Sequence, residues 1–326
     1  MTRVVPVHLA FALMGALGVC GALAEEIPLP ASTVAVGLDR QINWDSARQL
    51  AVQDDQRNKT LDSFAREKML AMTNRDHLPG LSPMASLMEW LFNWRAYVDE
   101  PVVHIKDKGL RIEFGLTLPA DLREDAYKTG KFTPRQMAQH PIVDRIEELA
   151  PRFEMGTAMR RVGEARFVAF NLSDMLRIVP ATVNDADAAW ARPEQLIDNL
   201  DDQSLAALGL ELKEHKAPVV GLDSPTALRI LAAWSRLRAS WQEGDASGVQ
   251  QSLDQLAATL PTVAGEGVYP SESQRNAEMR YYAMGKFTWG WMIYFVAALA
   301  GFWAMMSGAR TPWVAAVGLL AIALGL

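Results

Sequence analysis

Cysteine is nearly absent: the 326-residue chain contains one, Cys20, inside an apolar run close to the N-terminus. The remainder has no disulfide to hold it, so its stability must come from a packed core. Leu17-Gly18-Val19-Cys20 is a poor lipoprotein box, because Val19 stands where a small residue is wanted, and Cys20 reads as an incidental apolar thiol. Clustered basic residues are lacking too. Apart from Arg3 and Arg310, all basic residues fall between positions 25 and 286, where 30 basic groups face 38 acidic ones, a formal charge of −8 with no Lys/Arg stripe. Phosphate backbones demand such clusters, which sets nucleic-acid binding aside.

The five histidines (His8, His77, His104, His140 and His215) stand alone, without H-x-x-x-H, H-E-x-x-H or a cysteine partner. No metal-ligand spacing is present. Also missing are G-x-S-x-G, a Walker loop, G-x-G-x-x-G, and the C-x-x-C-H by which a chain attaches haem to itself. Catalytic, cofactor-binding and metal-ligating residues are therefore assigned to no position. The acidic run "NDADAAWARPEQLIDNLDDQ", from residue 184, reads as a solvated face rather than as an acid–base pair. Trp90, Trp94, Trp190, Trp234 and Trp241 recur at helical spacing and read as core or rim rather than as a ligand groove. His104, between Val103 and Ile105, is the histidine to mutate first.

What the chain does have is two nearly uncharged flanks. The opening "MTRVVPVHLAFALMGALGVCGALAEE" combines Arg3, an apolar run over 4–24 and Ala22-Leu23-Ala24 before Glu25. This is the pattern of an export signal, and at about 20 residues the run is also long enough to remain as an anchoring helix. Residues 1–24 are thus a signal peptide or N-terminal anchor, and 25–286 an exported body. Toward the other end "FTWGWMIYFVAALAGFWAMM", 287–306, is uncharged, with Trp289, Trp291 and Tyr294 at its start and Trp303 near its end. Length and aromatic belt predict a membrane-spanning helix. Arg310 follows it, placing that connection on the cytoplasmic side by the positive-inside rule, in agreement with Arg3. A second apolar segment, 312–326, has fourteen uncharged, non-polar residues from Trp313 onward, fewer than the ~20 that a span needs, and reads as a truncated second transmembrane helix.

The body reads as mainly α. A Pro-interrupted extended stretch runs to about Asp45, and the polar run "QDDQRNKT" follows at 53–60. Thr60 is placed to cap a helix that buries Leu61, Phe64, Ala65, Met69 and Met72, with Asp62 in reach of Arg66. Ser82-Pro83 opens a second helix burying Met84, Leu87, Met88 and Leu91. Residues 99–116 hold one short strand or none. Thr133-Pro134 and His140-Pro141 look like helix starts, Pro151 interrupts, and 158–179 reads as a longer helix. Residues 225–242 and 245–260 form an antiparallel pair joined by Glu243-Gly244, with Leu228, Leu231 and Trp234 facing Val249, Leu253 and Leu256. Ser271 opens a last amphipathic helix leading into the apolar span.

Two stretches carry a resemblance. "LAVQDDQRNKTLDSFARE", 50–67, is followed by "GLSPMASLMEWLFNWRAYVDEPVVHIKDKGLRIEFGL", and "AEMRYYAMGKFTWGWMIYFVAALAGF" comes much later. Together they resemble the extracytoplasmic region and first membrane helix of the system II cytochrome c biogenesis proteins of the CcsA/ResC type. Matching positions include Gln53, Asp54, Arg57, Lys59, Asp62, Arg66 and Glu67 in the first stretch and Glu278, Tyr281 and Phe287 in the second. Ala51, Gln56 and Thr60 depart from a Pro, a Gly and a Pro, so the turn differs, having lost both prolines and the φ-permissive glycine. Tyr282 stands where Asn is usual and Lys286 where Pro is.

The resemblance implies a bacterial inner-membrane protein with residues 25–286 on the extracytoplasmic side, acting in haem delivery to apocytochrome c. It implies the membrane, other assembly subunits and apocytochrome c as partners. Haem belongs to the complete family protein, whose Trp-rich haem-handling segment has no counterpart in this chain, so the sequence is expected to stop ahead of the catalytic portion. Trp289-Gly290-Trp291 is an interfacial anchor in this reading. Gln53, Asp54, Arg57, Asp62, Arg66, Glu67, Glu278 and Tyr281 remain family positions without an assigned role. The alternative is a membrane-anchored extracytoplasmic scaffold or binding protein with no enzymatic role; an envelope hydrolase has no visible nucleophile, base or metal set.

Overall fold

The computed structural model describes residues 32–151, 156–185, 187–207, 218–283 and 286–307. The signal or anchor over 1–24, Cys20, Arg310 and the segment 312–326 lie outside the described residues. Within them the protein is mainly helical, as the sequence periodicity predicts.

The chain enters as α1 (Thr33–Gln41), where an extended stretch was expected. Ser32 accepts a hydrogen bond from the Ala35 amide at 3.4 Å, and Ala35 and Leu38 are buried; a capped start and an apolar stripe outweigh the preceding prolines. A short turn of helix, α2 (Asp45–Arg48), leads to an antiparallel hairpin of β1 (Ala51–Asp54) and β2 (Arg57–Thr60), with Ala51 opposite Thr60 and Asp54 opposite Arg57. The two-residue turn has Asp55 at φ 50° and Gln56 at φ 61°. Both are left-handed, the geometry whose right-handed twist matches the strands and which glycine would adopt freely.

Thr60 ends β2 and caps α3 (Leu61–Thr73), its side chain accepting from the Ser63 amide at 3.2 Å. Ser82 caps α4 (Pro83–Asn93) in the same way. Between residues 99 and 132 lie β3 (Val103–His104), α5 (Lys108–Gly115), α6 (Ala120–Thr129) and β4 (Lys131–Phe132), β3 pairing with β4. The helix α5 was not expected; Asp107 starts it by accepting from the Leu110 amide at 2.9 Å.

Next come α7 (Pro134–Ala138), opened by a Thr133–Gln136 capping box, α8 (His140–Leu149) and α9 (Gly156–Met175). The last ends four residues before the expected 179, because the backbone of Arg177 is drawn into a bridge with Gln53 and that of Val179 into one with Ala191. A 3-10 turn over Pro193–Asn199 and α10 (Asp202–Ala207) precede the longest antiparallel pair, α11 (Ser224–Glu243) and α12 (Ala246–Val263). Gly244 joins them at φ 78°, which an L side chain adopts only at a cost. The inward face of α11 differs from expectation: Ile230, Ala233, Trp234, Leu237 and Trp241 are buried, while Leu228 and Leu231 are only partly so.

Phe64, Trp90, Trp241 and Leu253 belong to one continuous core that reaches from α1 to α12. Trp90 donates to the Ala169 carbonyl at 3.2 Å and Trp241 to Glu89 at 2.8 Å. These tryptophans are core, as their spacing suggested.

The chain then turns into α13 (Glu272–Ala283), capped by Ser271, and α14 (Lys286–Ser307). Among the described residues no helix is long and apolar enough to cross a membrane. The stretch 287–306 is helical inside α14, and its side chains are described from 291 to 300 and at 302 and 303. Over that part Trp291, Leu299, Phe302 and Trp303 are all more than half exposed, at 67%, 53%, 62% and 66%. Apolar side chains thus face outward here, the reverse of the arrangement in the body.

Candidate functional site

The structure brings together the two stretches that carry the resemblance. Their meeting place is a polar seam where β2 and α3 pack against α13, about 215 residues further along the chain. Thr60, at the end of β2, donates its amide to Glu278 Oε2 at 2.9 Å. Tyr282 donates its hydroxyl to Glu67. Burial and the Glu67 carboxylate hold the Tyr282 phenol well above its ordinary pKa, so it stays protonated and able to donate. Burial likewise raises Glu278; hydrogen bonds from Ser63 and Thr60 work against that rise, and the nearby Glu67 charge adds to it.

Beneath these contacts runs an alternating chain of charge. Glu67 accepts from Lys59 Nζ at 2.5 Å, Lys59 also reaches Asp54 at 2.7 Å, and Lys68 reaches the same Asp54 oxygen at 2.8 Å. The side chains of Asp54, Lys59 and Lys68 are about 5% exposed. Burial alone would raise the Asp54 pKa, but the two ammonium groups outweigh it and the carboxyl titrates below its usual range. Lys59 is pushed up for the complementary reason, its burial being outweighed by Asp54 and Glu67. A buried ion group of this kind contributes little net stability when complete, yet removal of one member leaves an uncompensated charge.

The remaining family positions surround the seam. Gln53 is a staple: its amide nitrogen donates to the Ala188 carbonyl at 3.0 Å, its oxygen accepts from the Trp190 amide at 2.8 Å, and its own backbone amide donates to Arg177 at 2.9 Å. Asp62 is almost fully buried between Arg48 and Arg66, both at 2.8 Å. Arg66 continues to Asp76 at 2.6 Å, and Asp76 meets His77 at 2.6 Å. The i,i+4 pairing of Asp62 with Arg66 is the one expected from the sequence. Arg57 is exposed beside the hairpin turn and Tyr281 is 45% exposed, its ring edge-on to Tyr282 at 5.7 Å. These two lie at the margin of the cluster rather than within it.

Two buried charges escaped the sequence reading. Lys68 sits on the stripe Leu61, Ala65, Lys68, Met72 and Glu89 on the stripe Ala85, Glu89, Phe92; in both, a charged residue occupies an apolar helical register. Glu89 takes neutral donors only, from Trp241 at 2.8 Å, Asn93 at 2.9 Å and Tyr97 at 3.1 Å. It ties α4 to α11 and the segment after it. The signal that would have found both is a lone charge where the period demands a hydrophobe.

Chemically, Asp54, Asp62 and Glu67 are each paired with cations and Glu278 is tied to the head of α3, so their geometry is that of a connector rather than an acid–base pair. No protein-family model matches the chain, and no curated protein matches it.

Proposed function

We propose that this protein is a membrane-held cytochrome c assembly factor of the system II kind, in which the body 25–286 lies outside the cytoplasmic membrane and α14 anchors it. The observation that carries this reading is the convergence of the two resembling stretches. They are separated by about 210 residues in sequence, yet Thr60 and Glu67 bind Glu278 and Tyr282 directly. Glu67 and Glu278 are positions that match the family pattern, and their partners Thr60, through its backbone amide, and Tyr282 are positions that depart from it.

The outward apolar side chains of α14 support the anchoring role, since in water they would be left unburied while in a bilayer they face their preferred solvent. In the chain α14 comes next after α13, the helix that the seam holds against α3 and β2. No haem ligand is assigned to any residue of this chain; its part is to present the body to other assembly subunits and to the apocytochrome.

Disruption of the gene in its host, followed by haem staining of membrane and periplasmic fractions, tests the proposal. The expected outcome is loss of covalently haem-bearing cytochromes, restored by the intact gene and not by one carrying Asp54→Ala with Glu278→Ala. Normal cytochromes in the disrupted strain would refute the assembly role and leave the scaffold alternative.

A further inference from the structure

The helices of the body are held by apolar burial, and α13 is the exception. Every other body helix of eight or more residues, among those described, buries at least one apolar side chain, from Phe64 and Met69 in α3 down to Ala126 alone in α6. Of the α13 side chains from 272 to 282, none is buried. The stripe it turns toward the body, Arg275, Glu278, Met279 and Tyr282, follows helical spacing, yet it is only half-buried and carries a single wholly apolar side chain. Apolar burial adds little to the docking of α13, which rests on the seam.

The chain just ahead of α13 is fixed more firmly. Val268 is buried, the Tyr269 ring stacks on Trp190 with centroids 5.7 Å apart, and the Tyr269 hydroxyl accepts from the Ala51 amide at 2.9 Å. In the first turn of α13, Arg275 donates to the Pro270 carbonyl and lies over the Tyr269 ring at 5.1 Å. A chain held up to Tyr269 has its pivot at Pro270 and Ser271.

At the far end the grip depends on one proton. Glu278 accepts from the Thr60 amide at 2.9 Å and from Ser63, and no ion pair holds it among the described residues. The charged groups that face it are Lys59 on β2, already bound to Asp54 and Glu67, and Glu67 itself on α3. Of the other charges on these elements, Asp62 is held by Arg48 and Arg66, Lys68 by Asp54, and Arg57 and Arg280 are exposed. An ionised Glu278 thus sits half-buried beside a second carboxylate, and burial and Glu67 raise its pKa while α13 is docked. Released into water, the same group titrates in its ordinary range. Docking is therefore strongest below pH 4.5 and weakens as pH rises through the higher docked value.

We propose that α13 is a pH-sensitive strap: it leaves β2 and α3 as one unit while the core stays folded, pivoting at Pro270 and Ser271, and protonation of Glu278 fastens it. Docked, the strap is the resting state; its release costs less than global unfolding because little apolar surface is uncovered. A released helix of twelve residues is too short to keep its own hydrogen bonds in water, so each opening exposes the α13 amides. This inference rests on the seam's geometry and stands whether or not the protein serves cytochrome assembly.

The test is hydrogen exchange of the full chain in lipid nanodiscs, read by mass spectrometry on peptides from α13, α3 and α12 and corrected for the intrinsic rate at each pH. At pH 7 the α13 amides are expected to be protected, but about a hundredfold less than those of α12. Glu278→Gln, which imitates the protonated acid, should raise α13 protection about threefold at pH 7, with the gap narrowing at pH 5. Tyr282→Phe should lower it about tenfold at both values by removing the bond to Glu67. In both variants α12 serves as the internal check that the core is folded, and its protection should not change. Equal protection of α13 and α12, a change in α12 in step with α13, or an α13 with no protection would overturn the strap. Unchanged α13 protection in Glu278→Gln at pH 7 would overturn its control by that proton.

Discussion

The α11–α12 hairpin and the seam between α3 and α13 both join helices, but by opposite means. In the hairpin, Ile230, Leu237 and Trp241 meet Val249, Leu253 and Leu256, all buried, and the linker is a glycine and a capping aspartate. In the seam, the Thr60 amide meets Glu278 and the Tyr282 hydroxyl meets Glu67 across more than 200 residues, with Lys59, Lys68 and Asp54 paired beneath them. Apolar surface stabilises wherever it is buried, with little demand on angle. Charged groups stabilise only in a complete arrangement, and an incomplete one opposes the fold. The hairpin therefore tolerates change in detail while the seam discriminates: it holds α13 in one position against β2 and α3.

Breaking the hairpin carries the largest effect. Trp241→Ala is expected to cost about 3–5 kcal/mol, since it removes a fully buried ring and strips Glu89 of a donor. Urea unfolding of the full chain in mild detergent measures it. On the seam side, Asp54→Asn leaves Lys59 and Lys68 buried without their shared carboxylate, and about 3 kcal/mol is expected to be lost in the same assay.

Gln56→Gly sharpens the comparison from the other direction. It relieves a left-handed side chain in the turn that leads into the seam, and is expected to stabilise by about 1 kcal/mol. Destabilisation would mean that the Gln56 side chain makes a contact worth more than its strain.

The smallest effect is one of pH. Glu278 has a folded pKa above its unfolded value, so the stability it contributes is full below pH 4.5 and is lost as pH rises through the higher folded value. Glu278→Gln removes that loss. The variant is expected to match the native protein below pH 4.5 to within about 0.5 kcal/mol, to show a flatter decline above it in a series of melting curves, and so to be the more stable of the two at pH 7. An unchanged slope would place the titration elsewhere.

Much of the hairpin could be read in the sequence, and little of the seam. Caps at Thr60, Ser82 and Ser271, and the Gly244 linker, are local signals that tertiary context left intact. The rotated face of α11 was misread because Leu228 and Leu231 are as apolar as Ile230 and Leu237, and periodicity alone does not choose between adjacent stripes. The β1–β2 hairpin was missed since its residues are polar and its turn lacks the glycine that announces one. At the seam, Asp62 with Arg66 was visible at i,i+4, whereas the bonds of Lys59 and Lys68 depend on the unforeseen β1–β2 hairpin and that of Tyr282 on long-range folding that no spacing rule records. Of the positions named for the resemblance, Glu67 and Glu278 take part in the contact between the two stretches, while Arg57 and Tyr281 lie at its margin.

The contact between Glu67 and Tyr282 is the most direct place to test whether that seam ties body to anchor. A double-mutant cycle of Glu67→Gln and Tyr282→Phe, read by urea unfolding of the full chain, should give a coupling of about 1–2 kcal/mol, as expected for a hydrogen bond to a carboxylate. Additive single-mutant effects, with coupling near zero, would mean that α13 does not dock on α3 and that the two resembling stretches do not form one structure.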